Sequence, residues 1–335
     1  MKRVVFNVAA EHSGALTILK QYYDLAVNDK DKENHYTFVI STPSLLETDN
    51  VKVLRYPWVK TSWFHRLYFD RFVAPKIAEQ VQADEVLSLQ NLVVRGIKVK
   101  QTLYLHQPLP FVEKRYGITE DFMAWVYQNI MSRMIFDSVR KANSIIVQTQ
   151  WMKEACVEKI KVSPSKINVI QPVVNITIKK SYKQENEANK LFFYPASAIA
   201  YKNHTIIIEA VKHLKQKGID NFRVVLTLEG HENKAIEKMF QEAQTQALPI
   251  EFIGKIPLNE VYDYYSQSIL IFPSYIETFG LPMLEAKLHG SPILASDCAF
   301  SHEILDGYNQ AEFFDPFDID ALASSVERIV TKSRV

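Results

Sequence analysis

The sequence predicts an α/β protein made of two successive doubly wound domains, each a parallel sheet with helices on both faces. Short apolar runs alternate with amphipathic stretches along the whole 335-residue chain. Several of these runs are almost unbroken in apolar residues, as strands covered on both faces must be. A polar, aperiodic stretch interrupts the rhythm near the middle, and the same rhythm then restarts. The length also exceeds what one ordinary core organises.

In the first half the predicted strands are 3–9 (RVVFNVA), 36–41 (YTFVIS), 101–107 (QTLYLHQ), 144–149 (SIIVQT) and 167–174 (INVIQPVV). Residues 176–190, ITIKKSYKQENEANK, are charged and without period, and they read as a linker between domains at 1–175 and 191–335. The second half supplies strands at 191–196 (LFFYPA), 222–229 (FRVVLTLE), 250–255 (IEFIGK), 269–274 (ILIFPS), 291–296 (SPILAS) and 311–316 (AEFFDP). A helix is predicted over 204–218, where Ile206, Ile207, Ala210, Val211 and Leu214 share one face and Gly218 ends it. Ligands of such sheets bind beyond the carboxyl ends of the strands, and a cleft between two facing domains is the expected site.

Bulk properties exclude several classes. A hydrophobic content of 47% with 12% aromatics fits a packed enzyme rather than a disordered chain. No apolar run approaches the roughly 20 residues a membrane helix needs. The N-terminus MKRVVFNVAAEHSG is basic and then briefly apolar, but the run is β-branched and broken by Glu11 and His12, so it reads as a buried first strand rather than a leader. Cys156 and Cys298 stand far apart without a metal-ligand pattern, which fits a reducing cytoplasm and makes the Asn175-Ile176-Thr177 sequon incidental. Net charge is +1, yet residues 1–172 carry 23 Lys/Arg against 17 Asp/Glu, and the remainder carries 16 against 21. A basic first half beside an acidic second half implies different partners for each. The basic residues are scattered rather than striped, so no nucleic acid is expected.

The most informative stretch is 269–297, ILIFPSYIETFGLPMLEAKLHGSPILASD, which reads strand, loop, helix, turn, strand. Phe279, Gly280, Leu281 and Pro282 would open the helix, with Pro282 tolerated in its first turn. A helix N-terminus presents free N–H groups and partial positive charge, and Gly280 lets a phosphate approach the backbone. Glu277 precedes the helix and Glu285 lies about a turn inside it. As carboxylates they either accept hydrogen bonds from ligand hydroxyls or simply complement the helix dipole, and spacing alone leaves both readings open.

Here the residues resemble a family. Pro273-Ser274, the run ETFGLPMLEA over 277–286, and GSPILAS over 290–296 are similar to the donor-site signature of family 4 glycosyltransferases. Ile253-Gly254 and Phe314-Asp315-Pro316 extend the likeness through most of the second domain. The resemblance implies a GT-B fold, transfer from a nucleotide-sugar (UDP- or GDP-sugar) with retention of configuration, and no metal or cofactor. It assigns Glu277 to the transferred sugar, Glu285 to the ribose hydroxyls, the backbone of Phe279, Gly280 and Leu281 to sugar and phosphates, and Lys255 with Ile256 to the nucleobase. It further implies that Lys202 grips the diphosphate, since the family carries Gly-Arg here with a Lys five positions after the Arg. In this chain Ala196 and Ser197 replace Gly-Arg, so a cation is missing; Ser197 can donate one hydrogen bond, or another cation such as Arg133 can substitute.

In the first domain, His12, Ser13 and Gly14 follow the first strand where the family has a glycine-rich loop near phosphates and acceptor, though only one glycine remains. His106 ends a predicted strand where the family has a His contacting the sugar; a His after a strand is otherwise structural. Gln148 and Thr149 align with a cleft-facing segment. The mechanism so implied uses no protein nucleophile, and the leaving diphosphate oxygen takes the acceptor proton while the protein orients and stabilises charge.

The stretch 55–75 interleaves Trp58, Trp63, Phe64, Tyr68, Phe69 and Phe72 with Lys60, Arg66 and Arg71. It reads either as a surface for the inner face of a membrane and a lipid-linked (polyprenyl) saccharide acceptor, or as an amphipathic helix filling the core. The run FSHEILDGYNQAEFF over 300–314 is similar to capsule and O-antigen transferases, which implies cell-surface polysaccharide synthesis at the cytoplasmic face. Family members continue past a helix like 319–330 into a final crossover helix, which this sequence lacks. A dehydrogenase is disfavoured because no G-x-G-x-x-G follows either domain's first strand. An epimerase of the same fold and a non-catalytic nucleotide-sugar-binding protein remain as rivals.

Overall fold

The computed structural model describes residues 1–11, 13–31, 33–173, 178–183 and 190–331. The chain divides into two compact units, Met1–Val173 and Val174–Val335. The first unit carries β1 (Lys2–Asn7), β2 (His35–Ile40), β3 (Val51–Arg55), β4 (Glu85–Ser88), β5 (Lys100–Tyr104), β6 (Ser144–Val147) and β7 (Ile167–Val169). They form one parallel sheet in the order β3-β2-β1-β4-β5-β6-β7.

The apolar run at 3–9 explains the layering. Val5 enters a cluster with Ile18, Leu19 and Ala26 of the helix Ser13–Val27. Its neighbours Val4, Phe6 and Val8 enter the opposite cluster, with Phe69, Ala74, Ile77 and Ala78. Alternate residues of one strand thus bury against helical segments on both faces, each large side chain contributing roughly 1.5–3 kcal/mol.

The second unit repeats the plan with β8 (Lys190–Tyr194), β9 (Phe222–Leu226), β10 (Ile250–Phe252), β11 (Ile269–Phe272), β12 (Ile293–Ser296) and β13 (Ala311–Phe314). Its parallel order is β10-β9-β8-β11-β12-β13. Phe193 of β8 stacks on Tyr264 at 4.4 Å, while Tyr194 meets Phe272 edge-on at 5.8 Å. The helix His204–Gln216 packs against the helix Ile319–Thr331. In each sheet the strand order reverses once, between β1 and β4 and between β8 and β11, and strand-end loops diverge there to leave room for a ligand.

The second unit has the six strands expected from its apolar runs. The first unit has two more than expected, β3 and β4. β3 is an edge strand with a mixed burial pattern, and β4 has four residues, too few to establish a period. Several predicted strands also end earlier than their apolar runs. Leu105 and Thr149 lie fully buried after the last ladder residues of β5 and β6, because the strand-end loops fold back over the core.

The aromatic stretch forms a 3₁₀ turn (Pro57–Lys60), a helix (Trp63–Tyr68) capped by Ser62, a π turn (Phe69–Val73) and a further helix (Ala74–Gln80). The core reading holds for Phe69, which is fully buried. Trp63, Phe64, Tyr68 and Phe72 are each at least half exposed, and Trp58 is partly so. Among the described residues no helix is long and apolar enough to cross a membrane.

Candidate functional site

Two strand-end loops meet at the reversal point of the second sheet. From β8 the chain runs through Ala196 and Ser197 into a 3₁₀ turn (Ala200–Lys202), then through Asn203 in left-handed conformation into the helix His204–Gln216. From β11 it runs through Ser274 and Glu277 to the helix Leu281–His289. The adjacency of β8 and β11 therefore brings together residues 75 positions apart: Lys202 Nζ forms an ion pair with Glu277 Oε1. Both side chains are largely buried, at 17% and 15% exposure.

The surroundings fix this pair. The Ser274 hydroxyl lies 2.8 Å from Glu277 Oε1 and within donating distance of the Tyr201 carbonyl. Tyr194, whose hydroxyl burial pushes well above its usual range, donates to the Lys202 carbonyl at 2.9 Å. The Asn203 amide donates to the carbonyls of Pro273 (3.3 Å) and Pro316 (2.7 Å), tying the exits of β8, β11 and β13 together. A charge pair held in this way has little freedom to relax, so its groups are preset for a polar ligand.

Gly280 caps the helix at φ +94°, a backbone conformation that strains any L side chain, so the turn favours glycine. Phe279 is buried beneath it, Leu281 is half-buried, and Pro282 occupies the first turn as expected. Glu285, one turn in, accepts from the Tyr265 hydroxyl at 3.2 Å. Its wall is aromatic: Tyr262 and Tyr265 lie 5.2 and 5.7 Å from His289. Burial against these rings raises the Glu285 carboxyl to about 7, the Tyr265 hydrogen bond only partly opposing it. Lys255 is exposed and Ile256 half-buried, directly after Gly254, whose N–H donates to the Leu228 carbonyl at 2.9 Å. Ser197 is exposed, and its carbonyl accepts from Ile199 N–H at 2.8 Å.

In the first unit His106 lies two residues beyond β5 rather than in the strand. Its N–H donates to Asn91 Oδ1 at 2.7 Å, and its ring meets Tyr104 edge-on at 5.7 Å. Desolvation pulls its pKa down to about 4, so it is neutral near pH 7. Gln148 and Thr149 are buried after β6. Ser13 and Gly14 open the helix Ser13–Val27, so Gly14 is helical rather than part of a glycine loop; His12 and the Ser13 side chain lie outside the described residues. Arg133 is exposed on the helix Ser132–Lys141. Asn7, Ser41 and Gln90, buried at the carboxyl ends of β1, β2 and β4, retain side-chain polar atoms without partners. Sequence reasoning missed these, as it missed Asn91 and the Ser274 hydroxyl that donates to Glu277. A polar residue inside an apolar run, as Asn7 is, is the signal that could have found some of them.

The signature seen in the sequence has a counterpart in comparisons with known proteins. Residues 175–334 match the family model described as glycosyl transferases group 1. The matched residues run along almost the whole of the second unit. Its Lys202–Glu277 pair, Gly280 cap and Glu285 all fall within the matched residues. The O-antigen chain mannosyltransferase RfbU of Salmonella typhimurium is 25% identical over 232 residues, spanning 68% of this chain and 60% of that relative. The O-antigen chain mannosyltransferase B of Escherichia coli is 29% identical over 107 residues, 31% of this chain and 28% of that protein.

Among solved structures, sucrose-phosphate synthase from Thermosynechococcus elongatus superposes with a TM-score of 0.75 at 15% identity, covering 99% of this chain and 90% of that one. HepE of Anabaena, in complex with UDP and glucose, superposes with a TM-score of 0.70 at 15% identity, covering 100% and 91%. These likenesses extend through both units, and the fold is GT-B. Among the described residues no three His, Cys, Asp or Glu side chains gather as metal ligands.

Proposed function

We propose that the chain is a retaining, metal-independent glycosyltransferase of the family 4 type. It moves a sugar from a UDP- or GDP-sugar to a saccharide acceptor carried on a lipid, in cell-surface polysaccharide synthesis at the cytoplasmic face of the membrane. The observation that carries the reading is the Lys202–Glu277 pair, set at the strand-order reversal of the unit that matches the group 1 glycosyltransferase model. Without ligand the two charges neutralise each other. A nucleotide-sugar separates their roles: its diphosphate takes the Lys202 ammonium, and a sugar hydroxyl donates to the Glu277 carboxylate. Glu285 accepts from the ribose hydroxyls. The Gly280 helix start and Lys202 stabilise the departing diphosphate, which takes the acceptor proton on the face the sugar leaves. The relatives named for O-antigen mannosyl transfer and the neighbour solved with UDP and glucose support this class of donor and pathway.

Lys202→Ala removes the diphosphate's ammonium partner, and donor affinity is expected to fall about 30-fold, or roughly 2 kcal/mol. Calorimetric titration with UDP, GDP and their sugars checks this. Unchanged affinity in both Lys202→Ala and Glu285→Ala would overturn the site. His106→Ala is expected to lower turnover about tenfold while leaving the donor dissociation constant within twofold, since a neutral, desolvated imidazole orients rather than binds charge. Activity that persists in excess chelator is the expected sign of metal independence.

Membrane association rests on the exposed Trp58, Trp63 and Phe64 beside Lys60, Arg66 and Arg71. Arg66 is paired with Asp70 at 2.7 Å, and Lys60 is held by Glu11 and the Ala9 carbonyl. Replacing Trp63 and Phe64 by Ala should reduce co-sedimentation with anionic vesicles at least fivefold; equal sedimentation would remove the membrane from the reading. The replacement of the family's Arg by Ser197 favours one rival, a non-catalytic nucleotide-sugar-binding protein. Slow donor hydrolysis across a panel of UDP-, GDP- and dTDP-sugars distinguishes the transferase from it.

A further inference from the structure

A groove of about 440 Å³ opens on the first unit, within the range of small-ligand sites. Leu67, Phe72, Leu92, Val93 and Met134 give it apolar walls, drawn from the aromatic segment, the loop after β4 and the helix Ser132–Lys141. Two of these walls adjoin π turns, Phe69–Val73 and Tyr127–Met131, a helix irregularity that recurs at functional sites.

The loop after β4 joins this groove to His106. Its Asn91, in left-handed conformation, holds the His106 backbone N–H, while the next two residues, Leu92 and Val93, line the groove. The loop is pinned on both sides: the Ser88 hydroxyl donates to the Leu92 carbonyl, and Gln101 exchanges two 2.9 Å hydrogen bonds with Val94.

Charge is arranged with equal economy. The groove is also lined by Arg71 and Arg95. Arg95 is neutralised by Asp137 at 3.0 Å and Arg66 by Asp70 at 2.7 Å. Arg71, exposed and lying 5.5 Å over the Phe72 ring, has no ion pair among the described residues.

An apolar trough with one uncompensated guanidinium, lined by the loop that holds the His106 backbone, matches one occupant. We propose that the groove binds the hydrocarbon chain of a lipid phosphate, with Arg71 meeting the phosphate, and that this is where the lipid part of the acceptor lies. The identification of the occupant as acceptor rests on the transferase reading above; the binding site itself does not.

The test uses farnesyl phosphate below its aggregation concentration, titrated into the full chain. Leu67→Glu and Phe72→Glu alter side chains that are 48% and 52% exposed, so the fold is not at stake, and thermal melting verifies it. Each is expected to weaken farnesyl phosphate at least tenfold. Arg71→Ala should weaken farnesyl phosphate about fivefold and farnesol not at all. Binding within twofold of the parent in both groove variants would overturn the proposal, as would full competition by inorganic phosphate. UDP and GDP titrations on the same variants should be unchanged. Groove-dependent farnesyl phosphate binding in a chain without transfer would remove the transferase reading and leave the groove. Transfer to a soluble saccharide, with lipid phosphate binding indifferent to Leu67 and Phe72, would remove the groove alone.

Discussion

Glu277→Gln is expected to lower sugar transfer about hundredfold while UDP and GDP bind as tightly as before or more tightly. The two effects part because the carboxylate plays opposite roles toward the two portions of the donor. Toward the nucleotide it is a competitor, since it neutralises the Lys202 ammonium that a diphosphate needs. Toward the sugar it is the acceptor that orients a hydroxyl at the reacting centre. Glutamine keeps the shape and can still accept from Ser274, so the fold has no reason to suffer. Stopped-turnover assays alongside nucleotide calorimetry measure both quantities on one preparation. A fall of tenfold or more in nucleotide affinity would show that Glu277 only positions Lys202, and the sugar assignment would be lost.

The second large effect is a pH dependence of donor binding set by Glu285. Its carboxyl titrates at about 7 in the ligand-free protein because burial against Tyr265 and its neighbours disfavours the charge. Ribose hydroxyls donate to the ionised form, so affinity for a UDP- or GDP-sugar should rise about tenfold between pH 6 and pH 8 and then level. The sugar diphosphate itself does not titrate in that window, which isolates the protein's contribution. Glu285→Gln should abolish the slope and leave affinity roughly tenfold weaker at pH 8. A slope that survives the substitution would assign it to another group. Stability runs the other way. The folded state holds a proton on Glu285 from its unfolded value of 4.5 up to about 7, so the raised pKa favours folding below that window and the advantage is lost as pH rises through it. Donor binding then restores part of what ionisation costs, and the thermal shift on adding donor should be larger at pH 8 than at pH 6.

The degree to which this protein was legible in its sequence follows from how local each feature is. β8 and β11 announce themselves because LFFY and ILIF are unbroken apolar runs. The Gly280–Pro282 helix start is equally local, since a positive φ and a fixed first turn are properties of single residues. β4 was invisible because four residues cannot display a period, yet it supplies the loop on which Asn91 and the apolar groove depend. Lys202 and Glu277 could each be singled out, but not their pairing, which exists only because strands far apart in the chain are neighbours in the sheet. The stretch 55–75 was ambiguous for another reason. A helix interrupted by a π turn does not keep a single 3.6-residue face, and the sequence pattern could not separate the buried Phe69 from the exposed Phe72.

Asn203 carries a consequence for how the molecule responds to its donor. One amide satisfies the carbonyls of Pro273 and Pro316, so the backbone that presents Lys202 is fastened to the exit of the last strand in the sheet. Opening β13 and emptying the nucleotide seat are then two descriptions of a linked equilibrium. Nucleotide should slow amide exchange at 311–315, in residues it need never touch, and damage to that strand should be felt first as weaker capture of donor rather than as loss of fold.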